Sequence, residues 1–580
     1  MKDKTPKFDA VIGKVLNEAK PGSRICTMCG SGFEIFSEDI DFCRKLNVLP
    51  PRECPKCRMI KRTAMSGSIF QFYKKTCFAH PEEKALSQMS EENEYRIYDN
   101  KFWWSDAWDP LTFGQNYDAN RDFSSQFIDL LRAVPHRALA RYNKDIVNSE
   151  YTVQSFDVKN CYLSSIIGMA QDVSYGFWVI YSQNSLDLSS ADHVQDSYEI
   201  IDSDRIHNSQ HIQNSSDCIN SYFLFDCHNC QNCFGCSNLR NKKFCFFNEQ
   251  LSKEDYEKRM AEIDLGSRKI REEYKKKFDE FLRTNGIFKA LWAKNSPGSL
   301  GDHLRDCKNC VQSFWGTSAK FLLTFYKNEN IRYGQDFIGA TDCMDVTIFG
   351  PGQECYNVIE ALSVNRVIAS YFVENCLETE YSFECSDCQY CFGCSGLSKK
   401  KYCILNKQYS EDEYWKLVDE IKTSMVQGGG YGEFLPLGNA FFFYEDSYAG
   451  ALCPLDENRY STMKPRLKNE KAPEASPAAN NIPDNIKNVA DSILDSTIIC
   501  EVSRKPFKIT KQEFDFYRKH SIPVPLLHPR TRLLNRFRKR SPYDLFGSHC
   551  SNCGKDIKTA YDPELHLRVY CEECYQKEIV

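Results

Sequence analysis

The cysteines with the most informative spacing stand near the two ends of this 580-residue chain. Each end has two Cys-x-x-Cys pairs, and the spacer between the pairs is longer near the N-terminus than near the C-terminus. A pair can hold one edge of a tetrahedral Zn²⁺ ion, while the turn between its cysteines frees backbone N–H groups to hydrogen-bond the thiolates. The two quartets are Cys26, Cys29, Cys54 and Cys57, and Cys550, Cys553, Cys571 and Cys574.

These quartets predict about two zinc ions per chain, one at each end. Four protein ligands close the coordination shell and leave no position for a catalytic water, so both ions are predicted to be structural. The alternative is a pair of redox dithiols. A thioredoxin-like βαβ context would favour that alternative, and this sequence lacks such a context.

The two ends are related to each other, and each has lost one of two sites. The segment that follows Gly32 aligns with the segment that begins at Pro506, which places Cys54 opposite His528. In the C-terminal copy this leaves Cys500 and His528, which are too few ligands for a metal site.

The second lost site lies in the N-terminal copy. Aligning Cys550 with Cys77 brings His80 and Asp99 to ligand positions, so these three residues form either an open metal site or a relic. The relic is favoured because aspartate is a poor replacement at a thiolate zinc site and because aromatic residues follow at once. These aromatic residues are Phe102, Trp103 and Trp104.

Between the two ends, the chain has a three-residue period. Every third residue from Ser149 to Leu239, thirty-one positions in all, is small or apolar, and a second such comb runs from Cys307 to Leu397 with one break at Asn328. Neither a strand nor a helix has this period, so it predicts a narrow β-solenoid with four inward corners in each twelve-residue coil. The spacing resembles that of the twelve-residue β-helix of insect antifreeze proteins, without their Thr-x-Thr array. An independent column repeats every twelve residues and predicts a stacked side-chain ladder: Asn148, Asn160, Asp172, Asn184, Asp196, Asn208, Asn220 and Asn232.

The two combs are duplicates, since residues 226–263 align without gaps on residues 384–421. Each copy ends in a predicted cap helix that begins at Ser252 or Ser410. Four cysteines at intervals of three fall on each comb, and they are interpreted as buried packing thiols, with a metal or iron–sulfur cluster and cross-bore disulfides as alternatives. They are Cys227, Cys230, Cys233 and Cys236, and Cys385, Cys388, Cys391 and Cys394.

Four motifs together resemble a family of uncharacterised zinc-ribbon proteins of candidate-phyla bacteria. They are CTMCG with CPKCR, the FWWSDAWDP segment from Phe102 to Pro110, the NCFGCSNLRNK block, and HCSNCGK with YCEECY. The resemblance spans nearly the whole chain and implies zinc binding, without an activity.

Charge and composition narrow the function classes. Residues 500–580 carry 16 Lys/Arg against 10 Asp/Glu in a chain of net charge −5, so the central region is acidic and not predicted to wrap a polyanion. Basic residues follow the second half of each end module, and they are interpreted either as a phosphate-contacting strip or as a solvated face. They are Lys56, Arg58, Lys61 and Arg62, and Arg530, Arg532, Arg536, Arg538, Lys539 and Arg540.

No apolar run approaches the roughly eighteen residues of a membrane helix, and the N-terminus lacks the apolar segment of a signal peptide, so we expect a cytoplasmic protein without a membrane partner. In that compartment, 29 cysteines indicate thiols and metal ligands more than disulfides. The sequence leaves the oligomeric state open.

The predicted fold class is mainly β: two duplicated β-solenoids with helical caps, flanked by zinc-ribbon or treble-clef-like modules. The predicted segments are an N-terminal zinc module (1–110), a connecting helix or loop (111–147), the first solenoid (148–250), a helical cap and connector (251–295), the second solenoid (296–406), a helical cap (407–425), an extended region with a flexible linker (426–498) and a C-terminal zinc module (499–580).

Two functions from different classes fit this sequence. The first is a non-catalytic zinc-binding scaffold that contacts a protein or nucleic acid. The second is a β-helix enzyme that acts on carbohydrate through outer-face carboxylates, although no nucleophile motif supports it. The candidate carboxylates are Asp187, Glu199, Asp202 and Asp204.

Overall fold

The chain folds into two compact units, each assembled from segments that are distant in sequence. In a computed structural model, unit 1 comprises Met1–Ser68, Phe72–Leu139 and Trp292–Lys468, and unit 2 comprises Ile69–Gln71, Ala140–Leu291 and Asn469–Val580. The N-terminal module thus belongs with the second comb, and the C-terminal module belongs with the first. The structure describes residues 4–67, 70–141, 145–308, 311–317, 328–329, 335–338, 352–353, 359–362, 364–455, 457–468, 482–540 and 542–580.

Unit 1 contains these α-helices: Pro6–Glu18, Ser37–Leu46, Pro55–Ala64, Asn100–Trp103, Phe123–Ala133, Glu411–Gln427, Tyr448–Leu452 and Glu457–Met463. Its strands are Gly22–Ile25, Gly32–Ile35, Tyr73–Thr76, Lys84–Ser87, Ile97–Tyr98, His136–Arg137, Ala293–Lys294, Leu300–Arg305, Cys307–Lys308, Val311–Thr317, Asn328–Glu329, Gln335–Ile338, Gly352–Gln353, Ile359–Leu362, Val364–Ile368, Tyr371–Glu374, Leu377–Glu380, Gln389–Phe392, Lys401–Ile404 and Lys407–Gln408.

Unit 2 contains the α-helices Lys253–Ala261, Arg268–Asn285, Lys511–Lys519, Pro529–Lys539 and Glu572–Ile579. Its strands are Ile146–Val147, Thr152–Lys159, Ser164–Ser174, Phe177–Ile180, Gln183–Gln195, Tyr198–His207, Gln210–Gln213, Ser216–Ile219, Tyr222–Phe225, Phe234–Ser237, Cys245–Phe246, Glu249–Gln250, Phe288–Lys289, Ile498–Ile499, Pro506–Phe507, Phe546–His549, Asp556–Thr559 and Val569–Tyr570. Among the described residues of both units, no helix is long and apolar enough to cross a membrane.

Parallel strands between residues 146 and 246 of unit 2 form what we call the first stack. Each strand pairs with the segment twelve residues further on, as in Leu186 with Tyr198 and Tyr198 with Gln210. The three-residue comb is buried inside it, as the sequence predicts: Val194, Ile200, Ile206 and Ile212 are at most 1% exposed.

The three-residue period comes from the backbone. The residue before each inward position of the first stack is repeatedly left-handed, with φ of 50° at Asp202, 54° at Arg205 and 44° at Asn208. This conformation is least costly for Asn, Asp and Gly, so it favours Asn and Asp before an inward position, although Arg205 shows that other residues adopt it too. The column also forms side-chain hydrogen bonds between coils, such as Asn208 Nδ2 to Asn220 Oδ1 at 2.8 Å.

Inward serines and cysteines satisfy backbone groups at these corners. Ser197 Oγ donates to the carbonyl of Gln195 (2.7 Å) and accepts from the N–H of Ser209 (3.1 Å), and the pattern repeats along the column. The Cys227 thiol likewise contacts the carbonyl of Phe225 at 3.5 Å. Small side chains with a hydrogen-bonding atom are therefore favoured at many of these positions, because a buried unpaired peptide group is costly.

The second stack of unit 1, residues 293–404, has the same twelve-residue offset from residue 352 onward, as in Thr379 with Cys391. Nearer its start, however, Cys307 pairs with Asn328 and Phe314 pairs with Gln335. In both pairs the sequence offset is nine residues longer than the twelve-residue offset found elsewhere. The prediction of uniform twelve-residue coils from Cys307 is therefore wrong in this part. The nine added positions preserve a three-residue comb, which is why the sequence pattern does not reveal them. Most positions of the comb between residues 318 and 358 lie outside the described residues.

Helices close and cover both stacks. The predicted cap helices begin where expected: Ser252 accepts from the N–H of Asp255, and Ser410 forms a capping box with Glu413. The charged segment after the first cap forms the Arg268–Asn285 helix, whose Tyr274 ring lies 5.1 Å from that of Phe234 in a T-shaped contact. In unit 1, the Phe123–Ala133 helix covers the second stack in the same way, with Phe123 4.8 Å from Phe392.

Candidate metal centres and the contacts of the basic residues

The N-terminal quartet, here called site A, lies where a hairpin meets a helix. Cys26 and Cys29 are in the turn between strands Gly22–Ile25 and Gly32–Ile35, and Cys54 is the N-cap of the Pro55–Ala64 helix. One ligand atom from each of the four cysteines lies within 4.8 Å of the others. The N–H of Cys54 also donates to Cys26 Sγ at 3.3 Å. Site A could therefore hold a metal ion, since the sulfurs converge and the backbone stabilises thiolate charge.

The C-terminal quartet, site D, repeats this plan. Cys550 and Cys553 lie in the turn between Phe546–His549 and Asp556–Thr559, and Cys571 is the N-cap of the Glu572–Ile579 helix. These four sulfurs also lie within 4.8 Å of one another, and the N–H of Cys571 donates to Cys550 Sγ at 3.3 Å.

Both turns use a left-handed glycine after the pair. Gly30 and Gly554 each have φ of 74°, and each donates its N–H to the carbonyl of the first cysteine at 2.9 Å. This geometry places the two cysteines of a pair on one side of the turn. It is built into both quartets by the sequence Cys-x-x-Cys-Gly.

The surroundings of both sites favour at least one thiolate. The hydrogen bond from Cys57 lowers the pKa of Cys54 to about 5. Burial opposes ionisation of Cys550, but backbone N–H groups of Cys571 and Cys553 outweigh it and lower the pKa of the Cys550 thiol to about 6. Thiolate is the form of cysteine that binds zinc.

The lost site of the N-terminal module, site B, keeps the hairpin and the helix but not the ligands. Cys77 follows strand Tyr73–Thr76, and its thiol lies 3.5 Å from Asp99 Oδ2. The other Asp99 oxygen caps the Asn100–Trp103 helix, and the His80 ring packs edge-on against Phe102 at 5.4 Å. The three candidate ligands Cys77, His80 and Asp99 are not among the metal-compatible groups of the described residues. This geometry favours the relic.

The lost site of the C-terminal module, site C, is also a hairpin and a helix N-terminus. Cys500 lies between Ile498–Ile499 and Pro506–Phe507, and His528 is the N-cap of the Pro529–Lys539 helix. Thr531 occupies the fourth ligand position, 3.6 Å from Cys500 Sγ through its hydroxyl. Among the described residues there are thus four copies of one framework, two of them with complete cysteine quartets.

The comb cysteines do not form a metal-compatible group with each other in the described residues. They are all buried, and burial raises the pKa of Cys227 and of Cys385 well above its usual value, so these two thiols remain protonated. The packing interpretation fits this environment best.

In unit 2, three of the six basic residues of the C-terminal segment are buried against the first stack. Arg536 Nη1 is 2.6 Å from Asp187 Oδ1, and Arg532 Nε is 2.9 Å from the other oxygen of that carboxylate. Arg540 pairs with Asp202 at 3.1 Å. These three arginines are at most 7% exposed, so they do not present their charge to a phosphate backbone. For these three arginines, this corrects the expectation of an exposed strip.

The remaining basic residues of this segment are more accessible. Lys539 is exposed and lies 3.2 Å from Glu199, while Arg538 is exposed and donates to Asn535. Arg530 is half-buried and donates to Gln71 at 2.7 Å.

The N-terminal basic residues divide in the same way. Arg58 and Arg62 are buried, with Arg58 donating to the carbonyl of Glu53. Lys61 forms an ion pair with the Glu53 carboxylate. Lys56 is half-buried. Nucleic-acid contact therefore stays a prediction only for the accessible members of both segments: Lys56, Arg530, Arg538 and Lys539.

Three of the four candidate catalytic carboxylates are partners of the C-terminal basic segment. Asp187 and Asp202 are buried in the ion pairs described above, and Glu199 lies between Lys539 and His211. They therefore do not line an open groove as the enzyme hypothesis requires. Asp204 lies with Asp192 and His193 in a group whose ligand atoms are within 4.8 Å, but Arg205 already pairs with it.

Sequence reasoning missed one buried carboxylate in each unit. Glu384 of the second stack is 2.8 Å from His136 Nδ1 and 3.2 Å from Arg137 Nε. Its duplicate, Asp226 of the first stack, accepts from Arg240 at 2.9 Å and from the hydroxyl of Tyr575. The internal duplication pairs these two acids, but only the fold reveals their partners from the end modules.

No protein-family model matches this chain, and no curated protein matches it either. The resemblance to zinc-ribbon proteins accordingly stays a prediction. What the structure adds is the convergence of two complete cysteine quartets on one repeated framework.

Proposed function

We propose that this protein is a non-catalytic scaffold in which one structural zinc ion holds each end module together. The observation that carries the proposal is that the four sulfurs of each quartet lie within 4.8 Å of one another. A closed shell of four thiolates serves folding rather than catalysis, since it leaves no open coordination position.

The donor set fits zinc. Cys26, Cys29, Cys54 and Cys57 would hold one ion, and Cys550, Cys553, Cys571 and Cys574 would hold the other. All eight donors are sulfur, and a backbone N–H stabilises one sulfur in each quartet. Soft thiolate ligands in a four-donor group select zinc over magnesium or calcium. When bound, zinc would cross-link the hairpin and the helix of each module.

The stacks supply the rigid part of the scaffold, and we interpret them as narrow β-solenoids. The constant twelve-residue offset of the first stack and its buried comb support this interpretation. In a solenoid each coil contacts its neighbours, so a long surface can be presented without a large core. The partner that binds this surface is proposed to be a protein or a nucleic acid.

Metal analysis of the purified full-length protein tests the zinc proposal. We expect about two zinc ions per chain by elemental mass spectrometry, and about one for Cys29→Ser or Cys553→Ser. Cys43→Ser and Cys500→Ser are matched controls, since each removes a buried thiol from the same module without touching a quartet. Both controls should retain two ions.

Three results would contradict this function. The first is wild-type protein without zinc, and the second is an iron–sulfur absorption band in the visible spectrum. The third is zinc loss in the Cys43 or Cys500 control that equals the loss in the quartet variants.

A further inference from the structure

A cavity of about 340 Å³ lies in unit 1 beside the second stack. Its wall is formed by Trp103, Trp104 and Trp108, which belong to the FWWSDAWDP segment of the N-terminal module. Arg137 and Phe372 also line it. Cavities of this size that combine aromatic walls with a few converging polar groups are typical of small-molecule sites.

The Arg137 guanidinium is the central polar group. Its side chain is only 3% exposed, and its carbon Cζ lies 3.8 Å from the centre of the Phe372 ring. Within the described part of the chain, its single hydrogen bond runs from Nε to Glu384 Oε1 at 3.2 Å. The two terminal nitrogens make no hydrogen bond to these residues, so a buried fork of N–H donors remains available beside the cavity.

The groups behind Arg137 do not balance its charge. His136 Nε2 lies 2.7 Å from the carbonyl of Leu131, which only accepts, so this nitrogen carries a proton. Its Nδ1 lies 2.8 Å from Glu384 Oε2. Burial opposes ionisation of Glu384, but the hydrogen bond from His136 and the charge of Arg137 outweigh it and lower the pKa of the carboxyl. One proton lies between His136 Nδ1 and Glu384 Oε2, so this pair has no net charge and cannot balance Arg137.

The positive charge of Arg137 is thus left without a buried counter-charge. The His136–Glu384 pair is neutral as a whole, and all three side chains are no more than 6% exposed. An uncompensated buried charge is costly, and an anion bound at the terminal nitrogens of Arg137 would remove that cost.

Two further cations and three further carboxylates line the cavity. The cations are Lys399 and Lys400, and no described acidic residue forms an ion pair with either. The carboxylates are Asp106, Asp109 and Glu374. An anionic group would pair with Arg137 or the lysines and avoid the three carboxylates.

We propose that this cavity binds a small organic anion, a carboxylate or phosphate on a flat apolar body, with the anion on Arg137 and the body against Trp104. Planar guanidinium pairs with both anions through two parallel hydrogen bonds, and an indole face stacks on a flat ring. Trp104 is 38% exposed, so its ring remains accessible to such a ligand. This site is separate from the zinc sites and does not depend on them.

Unit 2 provides a natural control. In unit 1, strand His136–Arg137 pairs in parallel with Ile97–Tyr98. In unit 2, strand Phe288–Lys289 pairs in parallel with Val569–Tyr570, so Lys289 occupies the position of Arg137. Lys289 is paired with Glu572 at 2.9 Å. Lys289 of unit 2 thus has an acidic partner within the protein, whereas the terminal nitrogens of Arg137 in unit 1 have none among the described residues.

Tryptophan fluorescence and calorimetric titration of the full chain test this proposal with benzoate, phenyl phosphate and the neutral isostere benzamide. We expect saturable binding of at least one anion, with the two anion arms identifying the preferred group. Benzamide and the Arg137→Gln variant should each give binding about tenfold or more weaker, since a charge-assisted pair is lost. Lys289→Gln should bind the anion like the wild type.

If Arg137→Gln does not fold, Trp104→Ala and the Lys399→Ser/Lys400→Ser double variant test the same site from its exposed edge. Both should fold normally, with unchanged zinc content, and both should bind the anion more weakly. The proposal is overturned if neither anion binds, if benzamide binds as tightly as benzoate, or if Lys289→Gln weakens binding as much as the unit 1 variants do.

Discussion

The two units are variations on one assembly, and they differ in how each completes a buried carboxylate. In unit 2, Asp226 receives Arg240 and Tyr575, and the neighbouring Lys289 has its own acidic partner. In unit 1, the corresponding Glu384 is held by His136 and Arg137, and the arginine keeps unused donors beside a cavity. One copy of the contact is satisfied by the chain itself, whereas the other leaves room for a ligand.

The zinc-compatible sites also differ in their distance from the contact between module and stack. In unit 2, the last cysteine of site D, Cys574, is followed directly by Tyr575, whose hydroxyl donates to Asp226 of the first stack. In unit 1, the corresponding residue is Trp103, which packs near Gly396 next to the lost site B. A complete quartet therefore supports the module–stack contact only in unit 2.

Loss of a zinc ligand should give the largest effect and separate the units. We expect Cys571→Ser to remove one zinc ion and to increase hydrogen exchange of the backbone in residues 222–240, because the helix that carries Tyr575 loses its anchor. Cys54→Ser should also remove one ion but leave exchange in residues 389–400 unchanged. Hydrogen-exchange mass spectrometry measures both. Equal effects on the two stacks would show that the quartets play the same role.

The buried carboxylates should give the next largest effect. Glu384→Gln leaves His136 and Arg137 without a buried negative charge and should lower the free energy of unfolding by about 3–5 kcal/mol. Asp226→Asn should cost less, because Arg240 also donates to the carbonyl of residue 226 and is partly exposed. Urea unfolding measures both, with the exposed Asp157→Asn as control. A larger loss for Asp226→Asn would contradict the role of uncompensated charge.

Acidification should destabilise unit 2 through His211. Burial lowers the pKa of His211 in unit 2 to about 4, and Arg271 donates to its Nε2 at 3.0 Å, so this ring is neutral. The unfolded chain takes up a proton near pH 6.5, so His211 should cost up to about 3 kcal/mol of stability as the pH falls from 6.5 to 4.

Unfolding of wild type and His211→Gln across this pH range measures the difference. The variant should be less sensitive to acid, although burial also lowers the pKa of His528 to about 4 and leaves some dependence in place. An unchanged pH dependence in the variant would show that His211 does not cause the loss of stability in acid.

The smallest effect concerns the left-handed corners, where the units should agree. Asn208 in the first stack and Asn375 in the second have φ of 44° and 50°, and each donates to the residue twelve positions on. Alanine at either position should cost about 1–2 kcal/mol, because it is strained at positive φ. Glycine should cost less, because it adopts this φ freely. Thermal unfolding compares the four variants, and unequal costs in the two stacks would show that the coils differ.

Much of the local structure could be predicted from the residues alone. The Cys-x-x-Cys-Gly spacing determines the turns of sites A and D, and the three-residue comb determines which side chains are buried. The cap helices begin at Ser252 and Ser410 as predicted. These features depend on neighbours within a few residues or on a regular period, which a sequence displays directly.

The sequence could not show how the pieces are combined. The comb does not reveal that the offset between paired residues is nine residues longer after Cys307, because adding any multiple of three residues preserves the three-residue period. The basic segment is equally consistent with a phosphate-binding strip, and only its packing on Asp187 and Asp202 shows where Arg536 and Arg540 lie. The order of charged residues in a sequence does not show which residue of opposite charge each side chain contacts.

The quartets and the buried comb were thus determined by the sequence itself, because metal geometry and coil periodicity act at fixed spacings. The tertiary structure alone decided that each end module packs with the stack more distant in sequence, and that Arg137 meets Glu384 across 247 residues. Such contacts depend on long-range packing and on the burial of charge, which no local pattern encodes.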